Sequence, residues 1–254
     1  MRSVHDQSRG PSHRVTRRVR ATEDFDSPAA LNRVGRMRLG SAVVALSFTT
    51  VFVTAGCGSA DSCVNGSGSV ISQTLDLSGL TGVDFQAAGE VTVTLGSTQQ
   101  VMVSGQENIV ERLNTDVING IWEIGFDECV QNISGLRIDI TVPEFDSAEL
   151  SGAGTIVAET DANEMDTTLS GAGTITVSGQ STRHNVSLSG AGTVEAFDLI
   201  GADVDVVLSG DGTVNVTANE ELSVDLSGAG AVFYKGNPER DILISGSGNV
   251  VDAN

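Results

Sequence analysis

In the second half of the chain, apolar and polar residues alternate with a period of two. Val204, Val206 and Leu208 share one side of the run VDVVLSG, and Leu222, Val224 and Leu226 do the same in LSVDLSG. After the glycines the alternation resumes. Ile175 and Val177, and again Val214 and Val216, fall opposite Thr174, Thr176, Thr213, Asn215 and Thr217. A period of two predicts half-buried strands rather than helices. The unit is therefore strand, glycine turn, strand and polar loop.

This unit recurs. LSGAGTI begins at Leu150 and again at Leu169, LSGAGTV at Leu188, LSGDGTV at Leu208, LSGAGAV at Leu226 and ISGSGNV at Ile244, with starts 18 to 20 residues apart. A fainter copy, FQAAGEV, begins at Phe85. A fixed period of this length marks a repeat architecture in which each unit contacts its neighbours. About 19 residues suit one coil of an all-β parallel β-helix, or solenoid. Stacking at about 4.8 Å would then align the leucines inside and the hydroxyls outside. A propeller of antiparallel blades needs about 40 residues per blade, so these repeats would make too few blades.

The glycines have two expected reasons to sit at corners: access to positive φ, and close approach of stacked backbones. Ala153, Ala172, Ala191 and Ala229 are expected to fill a tight corner. Ser151, Ser170, Ser189, Ser209, Ser227 and Ser245 form a candidate surface ladder of hydroxyls. Nucleotide chemistry fits the loop poorly. Gly152 and Gly154 lack the third glycine and the following helix of a dinucleotide site, and no Lys follows any copy as a Walker loop requires. A calcium-binding nonapeptide ladder needs repeated aspartates, whereas Asp211 stands in one copy alone.

Composition changes most at the N-terminus. Nine of the 14 Lys and Arg precede residue 40, and an uncharged stretch, LGSAVVALSFTTVFVTAG, follows Arg33, Arg36 and Arg38. A basic region, an apolar run and small residues before Cys57 describe an export signal. Thr54-Ala55-Gly56-Cys57 resembles the lipobox of bacterial lipoproteins, with Thr54 in place of the usual Leu. Cleavage before Cys57 would leave that cysteine carrying lipid. The alternative is that the run remains as a tilted transmembrane anchor. Both readings place the rest of the chain outside the cytoplasmic membrane, because the arginines stay inside. The expected organisation is a polar Arg-rich extension (1–36), with Met37 an alternative start, then a signal peptide (37–56), an anchor with flexible linker (57–79) and a β-helical domain (80–254).

Beyond residue 56 the chain carries five Lys and Arg against 29 Asp and Glu, a formal net of −24. Without a basic patch, nucleic acid and anionic headgroups are poor partners, and no nucleic acid is expected. Cys63 and Cys129 remain as an even pair in an oxidising compartment and are a candidate disulfide. No metal site is expected, since His184 is the only histidine after residue 56 and the spacing is wrong. No cofactor signature is present. In ENIVERLNTDVINGIWEIGF, a short helix is expected at residues 107–113. It is followed by a hairpin with a type I′ signal at Asn119-Gly120 and by Trp122 as a core or cap residue over the first coil.

From about Leu80 to Val250 the chain resembles the bacterial DUF2807 family of autotransporter-adhesin head GIN domains. The segments that carry the resemblance are LTGVDFQAAGEVTVTLG, VMVSGQENIVERLNTDVINGIWEIGF, LRIDITVPEFDSAELSGAG and the repeated LSGAG units. It implies a right-handed β-helix on an envelope protein and adhesion without catalytic residues. The expected function is that of an anchored binding or structural protein, with a surface glycan or a protein as ligand. The alternatives are a polysaccharide-active enzyme and an accessory sensor of envelope stress. Parallel β-helices that act on polysaccharides gather carboxylates and bases on one face. Here Asp203 and Asp205 share a face, but Arg183, Lys235 and Arg240 lie in different units. The last unit, ILISGSGNVVDAN, leaves an apolar coil edge that would favour a homo-oligomer.

Overall fold

A computed structural model describes residues 63–254. The residues before Cys63, including the expected signal peptide and Cys57, lie outside this range. The described part is a β-solenoid whose coils each contribute two strands. On the first face, the strands that precede each glycine corner stack in parallel in the order Ile121–Ile124, Gly82–Phe85, Ser147–Leu150, Glu164–Leu169, 183–188, 203–208, 221–226 and Glu239–Ile244. On the second face, the strands after the corner stack as Arg137–Val142, Glu90–Leu95, Thr155–Thr160, 174–179, 193–196, 213–217, Ala231–Lys235 and Asn249–Asp252. All of these pairs are parallel, which rules out the propeller.

The inward ladder forms as the alternation requires. Leu150, Leu169, Leu188, Leu208 and Leu226 are buried in register, as are Val204, Val206, Leu222, Val224, Ile175, Val177, Val214 and Val216. Burying a leucine contributes about 2 kcal/mol, so the column is a continuous source of cohesion. The 20-residue unit beginning at Leu188 is accommodated away from the glycine corner. Its register slips between Ala196 and Ile200, where the buried Leu199 takes up the extra chain.

The glycine corner corrects one expectation. None of the glycines in the six repeated motifs has positive φ, so conformational freedom is not their role. Close approach is. A Cβ on Gly171, Gly190, Gly210 or Gly228 would stand 1.9 Å from the carbonyl oxygen of the equivalent glycine one coil earlier. The second glycine meets the leucine of the preceding coil as well: a Cβ on Gly192 would lie 2.8 Å from Leu169 Cδ2 and 2.3 Å from Gly173 O. The inter-coil hydrogen bonds run round the bend, from Ser189 N to Leu169 O (3.0 Å), Ala191 N to Gly171 O (3.2 Å) and Thr193 N to Gly173 O (3.0 Å). The corner alanines do not fill the bend. Ala153, Ala172, Ala191 and Ala229 are exposed, and Asp211 occupies the same outward position. Positive φ belongs instead to Gly179 and Gly236, at the opposite bend.

At one end, order in space departs from order in the chain. FQAAGEV is a coil, with Phe85 stacked against Leu150 on one side and Ile124 on the other. The segment from Ile121 to Val142 therefore forms a further coil outside it, and its first residues, up to Phe126, belong to the stretch 107–126 that is expected as a cap. Its corner is widened from Gly125 to Leu136, and this leaves room for Ala87 where later coils need glycine. Strand Gln100–Gln106 pairs antiparallel with Arg137–Val142, and Val70–Leu75 pairs antiparallel with Gln100–Gln106. The ordered structure thus reaches into residues 57–79, where a flexible linker is expected. One helical turn, Glu107–Val110, and a hairpin with positive φ at Asn119 and Gly120 complete this end. Trp122 is fully buried and donates from Nε1 to Asn114 O (2.9 Å).

Gly190→Ala should lower unfolding free energy by about 3 kcal/mol or more, because the stacked backbone has to separate. Ala191→Asp, one residue away and exposed, should change it by less than about 0.5 kcal/mol. Urea unfolding of the two variants decides the matter, and equal losses would show that corner packing is not the constraint.

Candidate functional surface

The LSGAG corners stack into a ridge along the solenoid. Ser151, Ser170, Ser189, Ser209, Ser227 and Ser245 are all exposed on it, about 4.8 Å apart by the spacing of stacked strands. Each serine uses its backbone N–H to bond the preceding coil, with distances of 2.9 to 3.1 Å, which leaves the hydroxyl row facing outward. Beside it runs a second column, Thr155, Thr174, Thr193 and Thr213, in register and half-buried. The expected hydroxyl ladders therefore lie together along one edge.

The ladder bond at this position does not need a serine. Gln86 and Gly125 occupy it in the two coils beyond Leu150, and Gln86 N makes the same ladder bond, to Ile124 O (3.0 Å). The neighbouring position varies among Ala, Asp and Ser, whereas serine returns in all six regular coils.

A second feature lies on the outer side of the first face. Glu123, Asp84 and Glu149 stack in register on three adjacent coils. A groove of about 390 Å³ beside them is lined by Thr81, Asn119, Asp146, Glu149, Glu164 and Asp166. Partial burial, reinforced by Asp84 and Asp166, raises the Glu149 pKa above the ordinary carboxylate value. Burial also raises that of Asp146, opposed by a hydrogen bond with Thr81 and aided by Glu144. Asp205 joins Glu149, Asp166 and Asn185 in the adjoining groove, and Asp203 shares its outer face. This gathering was not legible in the sequence, because Glu123 and Asp84 become neighbours of Glu149 only through the reordered coils. Arg183 reaches Glu164 at 3.5 Å, whereas Lys235 lies over Phe197 and Arg240 lies beside Tyr234 in the last coils. Arg183 therefore touches the rim of the acidic groove through Glu164, whereas Lys235 and Arg240 are not brought to it.

Cys63 and Cys129 are joined, with Cα atoms 4.6 Å apart. The bridge lies beside the short parallel pairing of Val64–Asn65 with Val130–Gln131, at the widened corner. His184 points inward, fully buried, where Thr167 Oγ1 and His184 Nε2 share a hydrogen bond of 3.0 Å. Burial lowers its pKa to about 4, so the ring is neutral and structural. Among the described residues no group of three or more His, Cys, Asp or Glu is placed to hold a metal ion.

Fold and surface together define an acidic parallel β-solenoid with a hydroxyl ridge and one elaborated end. Residues 79–238 match the family model DUF2807, "Putative auto-transporter adhesin, head GIN domain", and the chain belongs to that family. Among solved structures it is similar to a "putative adhesin" from Bacteroides fragilis NCTC 9343. That match has a TM-score of 0.61 at 19% identity and covers 74% of this chain and 98% of that one. It is also similar to a "Putative lipid binding protein" from Parabacteroides distasonis ATCC 8503, with a TM-score of 0.50 at 18% identity and the same coverage. At these identities the likeness establishes the fold. No curated protein matches the sequence.

Burial of His184 gives stability a pH dependence. As pH falls from about 6.5 to about 4, the unfolded chain takes up a proton that the folded ring refuses, which removes about 3 kcal/mol. Asp146 and Glu149 act oppositely. Their raised pKa values let the folded state bind protons first and gain stability as pH falls towards the ordinary carboxylate range. The difference in unfolding free energy between the native chain and His184→Gln should therefore narrow by up to about 3 kcal/mol between pH 7 and pH 4. A constant difference would place the ring in contact with water.

Proposed function

We propose that this protein is a lipid-anchored, noncatalytic binding protein of the bacterial envelope, with the serine ridge as its contact surface. One observation carries this reading. Serine persists at six exposed corner positions, and Gln86 makes the same ladder bond at the irregular end without it. Core packing does not account for a residue whose side chain faces solvent, and recurring exposed polar residues on a rigid scaffold are where recognition is built. Membership of an adhesin-named family supports the same reading.

A row of hydroxyls at the strand repeat offers alternating donors and acceptors to a partner that is itself rich in hydroxyls. A surface glycan fits that chemistry better than an anionic polymer, which the net charge of −24 repels. The lipid at Cys57 would hold the solenoid outside the cytoplasmic membrane, on that membrane or on the outer membrane.

Two measurements test the reading separately. Cells fed radiolabelled palmitate should label the native chain and not Cys57→Ser, and equal labelling of both would remove the anchor from the proposal. In a glycan-array comparison, replacing Ser170, Ser189 and Ser209 with Gln should reduce binding about tenfold or more with thermal unfolding unchanged. Undiminished binding to the same glycans would move the contact surface elsewhere.

A further inference from the structure

The bend opposite the glycine corner is regular between some coils and broken at one place. Thr160 pairs with Gly179 before the bend and Glu164 with Arg183 after it, so these two coils turn in step. Thr182 N and Arg183 N both bond Asn163 O there, at 3.0 and 2.9 Å. The coil after Arg183 breaks the pattern twice. Residues 197–199 have no counterpart on the next coil, where the partners of Ala196 and Ile200 are the adjacent Val216 and Thr217. Just beyond, Asn219 and Glu220 together oppose the single Ala202. Bulges of this kind re-aim side chains and are over-represented beside functional sites.

Here they frame a hollow of about 320 Å³ over Ala202, spanning the bends of four successive coils. Its walls carry Asp161, Asn163, Gln180, Thr182, Asn219 and Glu220. Ile200 stands among them half exposed, an apolar side chain left without cover. Ser181 completes the lining. It is only 8% exposed, and its Oγ has no hydrogen-bonding partner. The neighbours in register explain this, because Ala162 on one side and Gly201 on the other bring it no polar side chain. Buried hydroxyls nearly always find a partner, so an open one in the lining of a polar hollow marks a place for a ligand's polar atom.

The lining selects the ligand. It contains no Lys or Arg, so an anion finds no counter-charge. Its two carboxylates, Asp161 and Glu220, are three coils apart, about 14 Å at strand spacing, which is too far to share a metal ion. The amides of Asn163, Gln180 and Asn219 and the hydroxyls of Ser181 and Thr182 each supply both donors and acceptors. A mixed set of this kind pairs with ligand hydroxyls, and Ile200 offers an apolar surface to the C–H face of a ring.

We propose that this hollow is a subsite for a neutral sugar ring, seated over Ala202 with one ring hydroxyl on Ser181 Oγ and its C–H face against Ile200. The site shares no residue with the serine ridge. It stands whether or not the ridge binds glycans.

The test applies the full chain, in a sugar-free detergent, to an array of neutral and uronate-bearing oligosaccharides. Ser181→Ala removes a hydroxyl that the fold leaves unpaired, so the thermal midpoint should hold or rise. The same substitution should lower the signal on a set of neutral glycans about tenfold. Ala202→Phe fills the hollow and should abolish those signals. The chain with Ser170, Ser189 and Ser209 replaced by Gln should keep them, which separates this site from the ridge. Four results would each overturn the subsite: no neutral glycan whose signal depends on Ser181, dependence confined to uronates, loss of the same signals in the ridge variant, or a lowered midpoint for Ser181→Ala, which would assign the hydroxyl to the fold.

Discussion

Everything in this structure depends on hydrogen bonds between coils that do not stop at the corner. Most sheets let their ladder lapse at a turn and leave the turn to satisfy itself. Here Ser189, Ala191 and Thr193 bond back to Leu169, Gly171 and Gly173, so the turn is part of the ladder. Backbones held at strand spacing through a sharp bend leave no volume for Cβ, and an added one on Gly190 would sit 1.9 Å from a carbonyl oxygen. The leucine of each coil then fills the space beside the second glycine of the next. Leucine and the two glycines thus recur together because each coil's leucine is packed by its neighbour's glycine. The motif describes a contact between repeats more than a conformation within one.

The same constraint decides where the solenoid can vary. In the coil of Phe85, Ala87 replaces the first glycine, and the adjoining corner is the widened one between Ile124 and Arg137. Departure from the motif on one coil is matched by departure on the next, and the irregular coils collect at one end. That end also receives the antiparallel strands and the Cys63–Cys129 bridge.

The alternation around Val204 and Leu222 made the strands and their inward faces legible, and the spacing of the repeats made the stacking legible. These are local or periodic signals. The position of Ile121–Val142 outside Gly82–Leu95 is neither, since nothing in the order of residues says that a later segment doubles back past an earlier one. The acidic stack of Glu123, Asp84 and Glu149 was hidden for that reason. The serine row was visible because it inherits the repeat, although its exposure, and that of the corner alanines, needed the geometry of the bend. The role of the glycines is half legible: close approach follows from stacking, whereas positive φ, a habit of isolated turns, does not apply to a turn that is itself stacked.

A solenoid separates its obligations more cleanly than a globular domain does. Inward columns answer to packing and the corner glycines to backbone contact, while outward columns answer to neither. An outward column that drifts, such as Ala153, Ala172, Ala191, Asp211, Ala229 and Ser247, shows what freedom from structural demand looks like within one chain. Against that internal standard, the serine column beside it does not drift over the same six coils. It does change in the two coils where the regular corner ends, at Gln86 and Gly125. The repeats of one molecule thus serve as replicates of a single environment, and the six regular coils keep serine at an outward position that core packing does not dictate.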